Sequence, residues 1–71
     1  MNIREEEYVL AIWKYRNIKS AADELLISPP GLSMFLSGLE KRLGVKLFHR
    51  VGKHLSATDI GMEYISHAQK I

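Results

Sequence analysis

The sequence predicts a mainly helical domain, with three helices, a short β-hairpin and a fourth helix in that order. Three observations carry the prediction. Leucines recur at spacings of four, three and four from Leu32 to Leu43. Only Ile27 and Ser28 separate that segment from the helical stripe before it. After Lys46 the pattern changes to two short strands around Val51-Gly52-Lys53. Two helices joined so tightly read as a helix-turn-helix rather than a bundle with long loops, and a basic hairpin behind them reads as a wing.

The first helix is expected over residues 5–16, where Tyr8, Val9, Ile12 and Trp13 recur at helical spacing. Glu5 to Glu7 sit near its start, where negative charge interacts favourably with the helix dipole, so they are structural rather than catalytic. The segment Ser20 to Leu26 places Ala21, Ala22, Leu25 and Leu26 on one stripe of a short second helix, with alanines small enough for close packing. Ser28 suits an N-cap and Pro29-Pro30 a first turn, because the lost amides would be unpaired there anyway. Gly44 suits a C-cap, so the third helix runs from Pro29 to Leu43. Leu47 to Arg50 and His54 to Ala57 form the hairpin. Thr58-Asp59 then caps a fourth helix whose apolar stripe, Ile60, Tyr64, Ile65, Ala68 and Ile71, reaches the end of the chain. The expected division is a winged helix-turn-helix over 1–57 and the start of a linker or dimerisation helix over 58–71.

Composition narrows the function. At 71 residues the chain holds one domain, and 46% apolar with 25% charged residues is the balance of a folded protein. Without cysteine there is no disulfide, thiolate zinc site or thiol nucleophile, which fits a cytosolic setting. The longest apolar run, Tyr8 to Trp13, falls far short of the roughly 20 residues that span a bilayer. Three glutamates near the N-terminus are the wrong charge for a signal peptide. Net charge is only +2, but residues 41–58 carry Lys41, Arg42, Lys46, Arg50 and Lys53 with no acid, and His49 and His54 lie among them. That clustering points to a polyanion.

Catalysis finds no foothold, because no nucleophile stands near a base and no carboxylates are paired at a telling spacing. His49, His54 and His67 would have to converge by chance to bind a metal, so no metal or cofactor is expected. Asp23-Glu24 reads as a solvated face that keeps the outer side of the second helix away from phosphates.

The segment from Ser20 to Gly61 resembles the N-terminal winged helix-turn-helix of LysR-type transcriptional regulators. The likeness is carried by Ala21-Ala22, Leu25, Ser28, Pro30, Leu32, Ser33, Leu39-Glu40, Leu43-Gly44-Val45, Leu47-Phe48, Arg50, Thr58 and Gly61. A related winged helix occurs in molybdate-responsive regulators, but the Leu-Phe and Thr-x-x-Gly context favours the LysR type. The resemblance implies a bacterial transcription factor's DNA-binding domain, with the third helix in the major groove and the wing on flanking backbone. It further implies that the fourth helix pairs two subunits and leads to a ligand-binding domain absent from this chain, through which a small-molecule effector would act. Ser28, Pro30 and Ser33 would lie at the DNA end of the third helix, and Arg50 and Lys53 would present charge from the wing.

Physical chemistry agrees, since phosphates need cations or amides, and Arg50, Lys53, the start of the third helix and the Ser28 hydroxyl are suited to supply them. The chain departs from the family at Pro29, Met34, Phe35 and Ser37, where polar or basic residues are usual. It departs again at Lys19, which replaces the usual cap of the second helix, leaves Ser20 or Asn17 to cap it, and is itself placed to meet a phosphate. The outward face of the third helix comprises Pro30, Ser33, Met34, Ser37 and Lys41, with no arginine or glutamine for a bidentate base contact. Met34 suits thymine methyls, and specificity rests on DNA shape and dimer spacing. The expected interface is therefore Lys19, Ser20, Ser28, Pro29, Pro30, Ser33, Met34, Ser37, Lys41, Arg50, Lys53 and His54 on double-stranded DNA. A homodimer contact is expected through Ile60, Tyr64, Ile65, Ala68 and Ile71. The rival reading is a winged helix whose apolar Met34 and Phe35 face receives a protein.

Overall fold

A computed structural model of the chain describes residues 3–70. The order is α1 (Ile3–Tyr15), α2 (Ile18–Leu25), α3 (Pro29–Leu43), β1 (Phe48–Val51), β2 (His54–Ala57) and α4 (Asp59–Gln69). The expected architecture stands: a mainly helical winged helix-turn-helix with α2 packed on α1 and α3, and α4 on α1 and the wing. Val9, Ile12, Leu32, Leu36, Leu47 and Ile65 are fully buried and form the centre of one core. Truncating any of these leucines or isoleucines to alanine costs about 2–5 kcal/mol.

The bounds of α3 are those expected, because both caps are local. The Ser28 side chain accepts from the amide of Gly31, and Gly44 donates its amide to the Glu40 carbonyl. At the helices before it the bounds shift. Arg16 has a φ of 53° and ends α1 at Tyr15, one residue early. Asn17 is the cap of α2, accepting from the amide of Ser20, so α2 starts at Ile18 and Lys19 lies in its first turn. Leu26, expected on the apolar stripe of α2, instead has a φ of 61° and is 91% exposed. It is the C-cap at which the chain reverses so that Ser28 enters α3 extended.

In the wing, β1 and β2 pair antiparallel with Arg50 opposite Leu55 and Val51 opposite His54. Gly52 and Lys53 are the turn, with positive φ at Gly52 and not at Lys53, the pattern of a type II′ hairpin in which glycine takes the first position. The strand expected from Leu47 begins at Phe48, because Leu47 is a core residue at the joint with α3.

The fourth helix carries the largest revision. Tyr64, Ile65 and Ala68, expected to face a second copy, are buried in the core of this chain, and α4 lies against α1. Of that stripe Ile60 stays exposed, at 45%, and Met62, on another side of the helix, is similarly open. Ile71 lies outside the described residues. Apolar spacing identifies the buried face of a helix without saying whose core buries it.

Candidate nucleic-acid interface

The start of α3 is a poorer amide donor than expected. Pro29 and Pro30 have no N–H, the Gly31 amide is taken by the Ser28 side chain at 3.0 Å, and the Leu32 amide by the Ser28 carbonyl at 3.0 Å. Anion binding by backbone amides of this first turn is therefore closed off, which leaves the Ser28 hydroxyl hydrogen and the neighbouring cations.

Those cations converge. Lys19, Pro29, Pro30, Ser33, Arg50 and Lys53 line one open cleft of about 430 Å³, together with Asn17, Ile18, Gly52 and Leu55. Two bonds set its width. Arg50 Nη1 donates to Ser33 Oγ at 3.0 Å, tying the wing to α3 and leaving Ser33 half-buried rather than fully outward. Asn17 Nδ2 donates to the Lys53 carbonyl at 3.4 Å, tying the wing turn to the cap of α2.

The other expected residues lie outside the cleft. Ser20, Ser28, Met34, Ser37, Lys41 and His54 are all exposed, with Met34 at 76%. Lys41 and Ser37 border a smaller hollow near the other end of α3, beside Glu40 and Lys46. Phe35 turns inward, its ring edge-on to Tyr8 with centroids 4.9 Å apart, so the apolar face proposed for a protein partner shrinks to Met34 alone.

Three cations elsewhere are neutralised within the chain. Arg42 pairs with Glu5, and Lys46 stands 3.9 Å from Glu40. Lys14 bonds Glu24 at 3.0 Å, and the Tyr15 hydroxyl donates to the same carboxylate at 2.6 Å. The Tyr15 hydroxyl, and then Lys14, hold Glu24 below the usual carboxylate range, while Glu24 raises both of them. Glu24 thus ties α1 to α2 instead of standing free in solvent. Around the cleft, Lys19 and Lys53 have no carboxylate partner among the described residues. Lys19, Arg50 and Lys53, none of them in an ion pair among the described residues, thus gather where the wing meets the starts of α2 and α3.

One residue carries a role that charge patterning did not suggest. Glu40 is 6% exposed, and its Oε2 accepts from the amides of Leu47 at 2.7 Å and Phe48 at 3.2 Å. It holds the wing root on α3. The signal in the sequence was a carboxylate one residue after Leu39 and four after Leu36, at the edge of the buried stripe.

Comparison with known proteins points the same way. The family model for "Bacterial regulatory helix-turn-helix protein, lysR family" matches residues 3–62. The Escherichia coli K12 "DNA-binding transcriptional dual regulator OxyR" is 37% identical over 71 residues, covering 100% of this chain and 23% of that protein. The chain therefore spans about a quarter of the length of such relatives. A crystal structure of a BenM_DBD/catB site 1 DNA complex superposes with a TM-score of 0.91 at 31% identity, over 99% of this chain and 79% of that one. A CbnR_DBD–DNA complex gives 0.90 at 28% identity, over 99% and 80%.

Proposed function

The chain belongs to the lysR family of bacterial regulatory helix-turn-helix proteins, and from that premise we propose that it binds double-stranded DNA to regulate transcription. In this reading α3 enters the major groove and the wing lies on the adjacent phosphate backbone. The observation that carries it is the cleft between α2, α3 and the wing, with Lys19, Arg50 and Lys53 around it. The similar domains solved in complex with DNA support binding to DNA.

The roles divide by chemistry. Lys19, Arg50, Lys53 and His54 meet phosphates, and Ser20 and the Ser28 hydroxyl add donors. Pro29, Pro30, Ser33, Met34 and Ser37 approach base edges, with Lys41 beyond them. Met34 offers thymine methyls an apolar contact, and the small serines allow α3 to lie deep. With few directional base contacts, selectivity draws on groove shape and on the spacing of two half-sites. Residues 58–71 begin the linker helix, and a second copy meets it on the side of Ile60, the residue of the apolar stripe left exposed. An effector would act through residues outside this chain. No described helix is long and apolar enough to cross a membrane, and we place the protein in the bacterial cytoplasm on the nucleoid.

An amide-resolved NMR titration with an AT-rich duplex at low salt tests the reading. Shifts are expected at Ser28 to Ser37 and at Arg50 to His54, fading as salt rises. Replacing both Arg50 and Lys53 with alanine removes two phosphate contacts and is expected to reduce the slope of log affinity against log salt by about 1.8, at about 0.9 per contact. Stability should change by less than about 0.5 kcal/mol, because both side chains are exposed. Silent amides in those two segments would overturn the reading.

A further inference from the structure

Arg16 closes α1 in a conformation that costs any residue with a side chain. Its φ of 53° lies in the left-handed region, where asparagine or glycine is the usual occupant. The backbone there is fixed from outside, since the Arg16 carbonyl accepts from the amide of Leu55 in β2 at 3.0 Å and its own amide donates to the Ile12 carbonyl at 2.7 Å. Those bonds explain the turn and would serve glycine equally well. They do not explain arginine.

The side chain has a defined place of its own. The guanidinium carbon stands over the Trp13 ring, 3.9 Å from its centroid, a cation–π contact. A guanidinium over a ring keeps the N–H donors that do not face the ring, and its planar fork matches two oxygens of a phosphate. No carboxylate or carbonyl among the described residues bonds those donors, and the residue is exposed. Arg42, by contrast, is paired with Glu5. The next residue, Asn17, bonds the Lys53 carbonyl, so this pre-oriented cation sits one residue from the wing turn. Arg50 faces α3 through Ser33, whereas Arg16 faces α1 through Trp13.

We propose that Arg16, held over Trp13, is a further phosphate contact of the DNA interface, gripping the backbone beside the wing. This rests on the DNA-binding reading above. A phosphate contact carries no base preference, so its loss weakens every duplex alike and flattens the salt dependence.

The test measures affinity by fluorescence anisotropy for an AT-rich and a GC-rich duplex, between roughly 50 and 200 mM salt. The proteins are the parent chain, Arg16→Gly, Arg16→Lys and the Arg50→Ala/Lys53→Ala double variant. Arg16→Gly relieves the backbone, so its melting midpoint should equal or exceed the parent's. Its salt slope should nonetheless shrink by about 0.9 on both duplexes. Arg16→Lys should keep the parent slope and lose several-fold in affinity, because the ammonium lacks the planar fork. If Arg16→Gly keeps the parent slope while the double variant loses its own share, Arg16 only caps α1 and the proposal fails. If the double variant also keeps the parent slope, the wing does not grip phosphates, and the reading beneath the proposal fails with it.

Discussion

At the C-terminal end of α3, Glu40 and Thr58 bond the groups around them, whereas at its N-terminal end charges stand open to solvent. The Glu40 carboxylate takes the amides of Leu47 and Phe48, and Thr58 Oγ1 donates to the Lys46 carbonyl at 2.7 Å while accepting from the Gly61 amide at 2.9 Å. The Thr58 amide in turn donates to the Leu47 carbonyl at 3.0 Å. One joint thus locks α3, the wing root and α4 together. Around the cleft at the other end, Lys19 and Lys53 lack carboxylate partners among the described residues, and Arg50 has only the neutral Ser33. Buried polar groups that are satisfied internally maintain shape, while exposed cations left unpaired keep their capacity for an external anion. Several residues that mark the family, Leu39-Glu40, Leu47-Phe48, Thr58 and Gly61, belong to the joint, so the family pattern reads the scaffold more than the DNA contact.

The sharpest way to break the joint is Gly61→Ala. A Cβ there would stand 2.0 Å from the Leu47 carbonyl oxygen, a backbone atom that cannot swing aside. Either α4 or the wing root must move, and with them the Thr58 bonds. The expected loss is at least about 3 kcal/mol, large against the 5–15 kcal/mol stability of a typical domain. Urea denaturation followed by circular dichroism measures it. A loss below about 1 kcal/mol would show that the approach of α4 to Leu47 is looser than this geometry.

Glu40→Ala attacks the same joint through its hydrogen bonds. It strands the Leu47 and Phe48 amides in a buried site, at an expected cost of about 2–3 kcal/mol. Glu40→Gln keeps one acceptor oxygen and should cost less. If both variants melt with the parent, water serves those amides equally well and the carboxylate is not the clamp. DNA affinity measured well below the melting midpoint should fall by the share of molecules whose wing is disordered, with an unchanged salt slope, because the molecules that bind keep every phosphate contact.

What could be read in advance follows the range of the interaction responsible. The bounds of α3 were legible because Ser28 and Gly44 cap it within four residues. The end of α1 was not, because the left-handed turn at Arg16 is held by Leu55, far along the chain. The start of α2 was legible only as a choice between Asn17 and Ser20, of which Asn17 is the cap. Arg50 and Lys53 were legible as composition, since basic residues cluster from Lys41 on, whereas Lys19 lies outside that cluster and stood out only as a departure from the family pattern. Their separation into paired and unpaired was not, because the acids that neutralise Arg42 and Lys14 arrive from α1 and α2. The loss of amides at the start of α3 could have been counted from Pro29-Pro30 directly. The role of α4 was half legible: its stripe was correct as a buried face, but periodicity is silent on whether α1 or another chain buries it.

Tyr64 offers the smallest effect and a finer measure of how α4 sits on α1. Its hydroxyl is buried without a hydrogen-bond partner among the described residues, and burial, with Glu5 and Glu6 nearby, pushes its pKa up to about 12. At neutral pH, Tyr64→Phe removes a polar atom that gains nothing from burial, so stability should hold or rise by up to about 1 kcal/mol. A loss of more than about 1 kcal/mol would mean that the hydroxyl has a partner after all. In alkali the sign is fixed by linkage. The folded state keeps the phenolic proton to about pH 12, and the unfolded state releases it near 10. This contribution is therefore fully present below pH 10 and is lost as pH climbs towards 12, by on the order of 2 kcal/mol. Urea midpoints of parent and Tyr64→Phe should run parallel up to about pH 9 and separate above it, with the phenylalanine variant the more resistant. Lys14 and Tyr15, both raised by Glu24, lose their contributions in the same direction and are common to the two proteins, so the difference isolates α4. Midpoints that stayed parallel through alkali would place the Tyr64 hydroxyl in water, with α4 tilted away from Glu5 and Glu6.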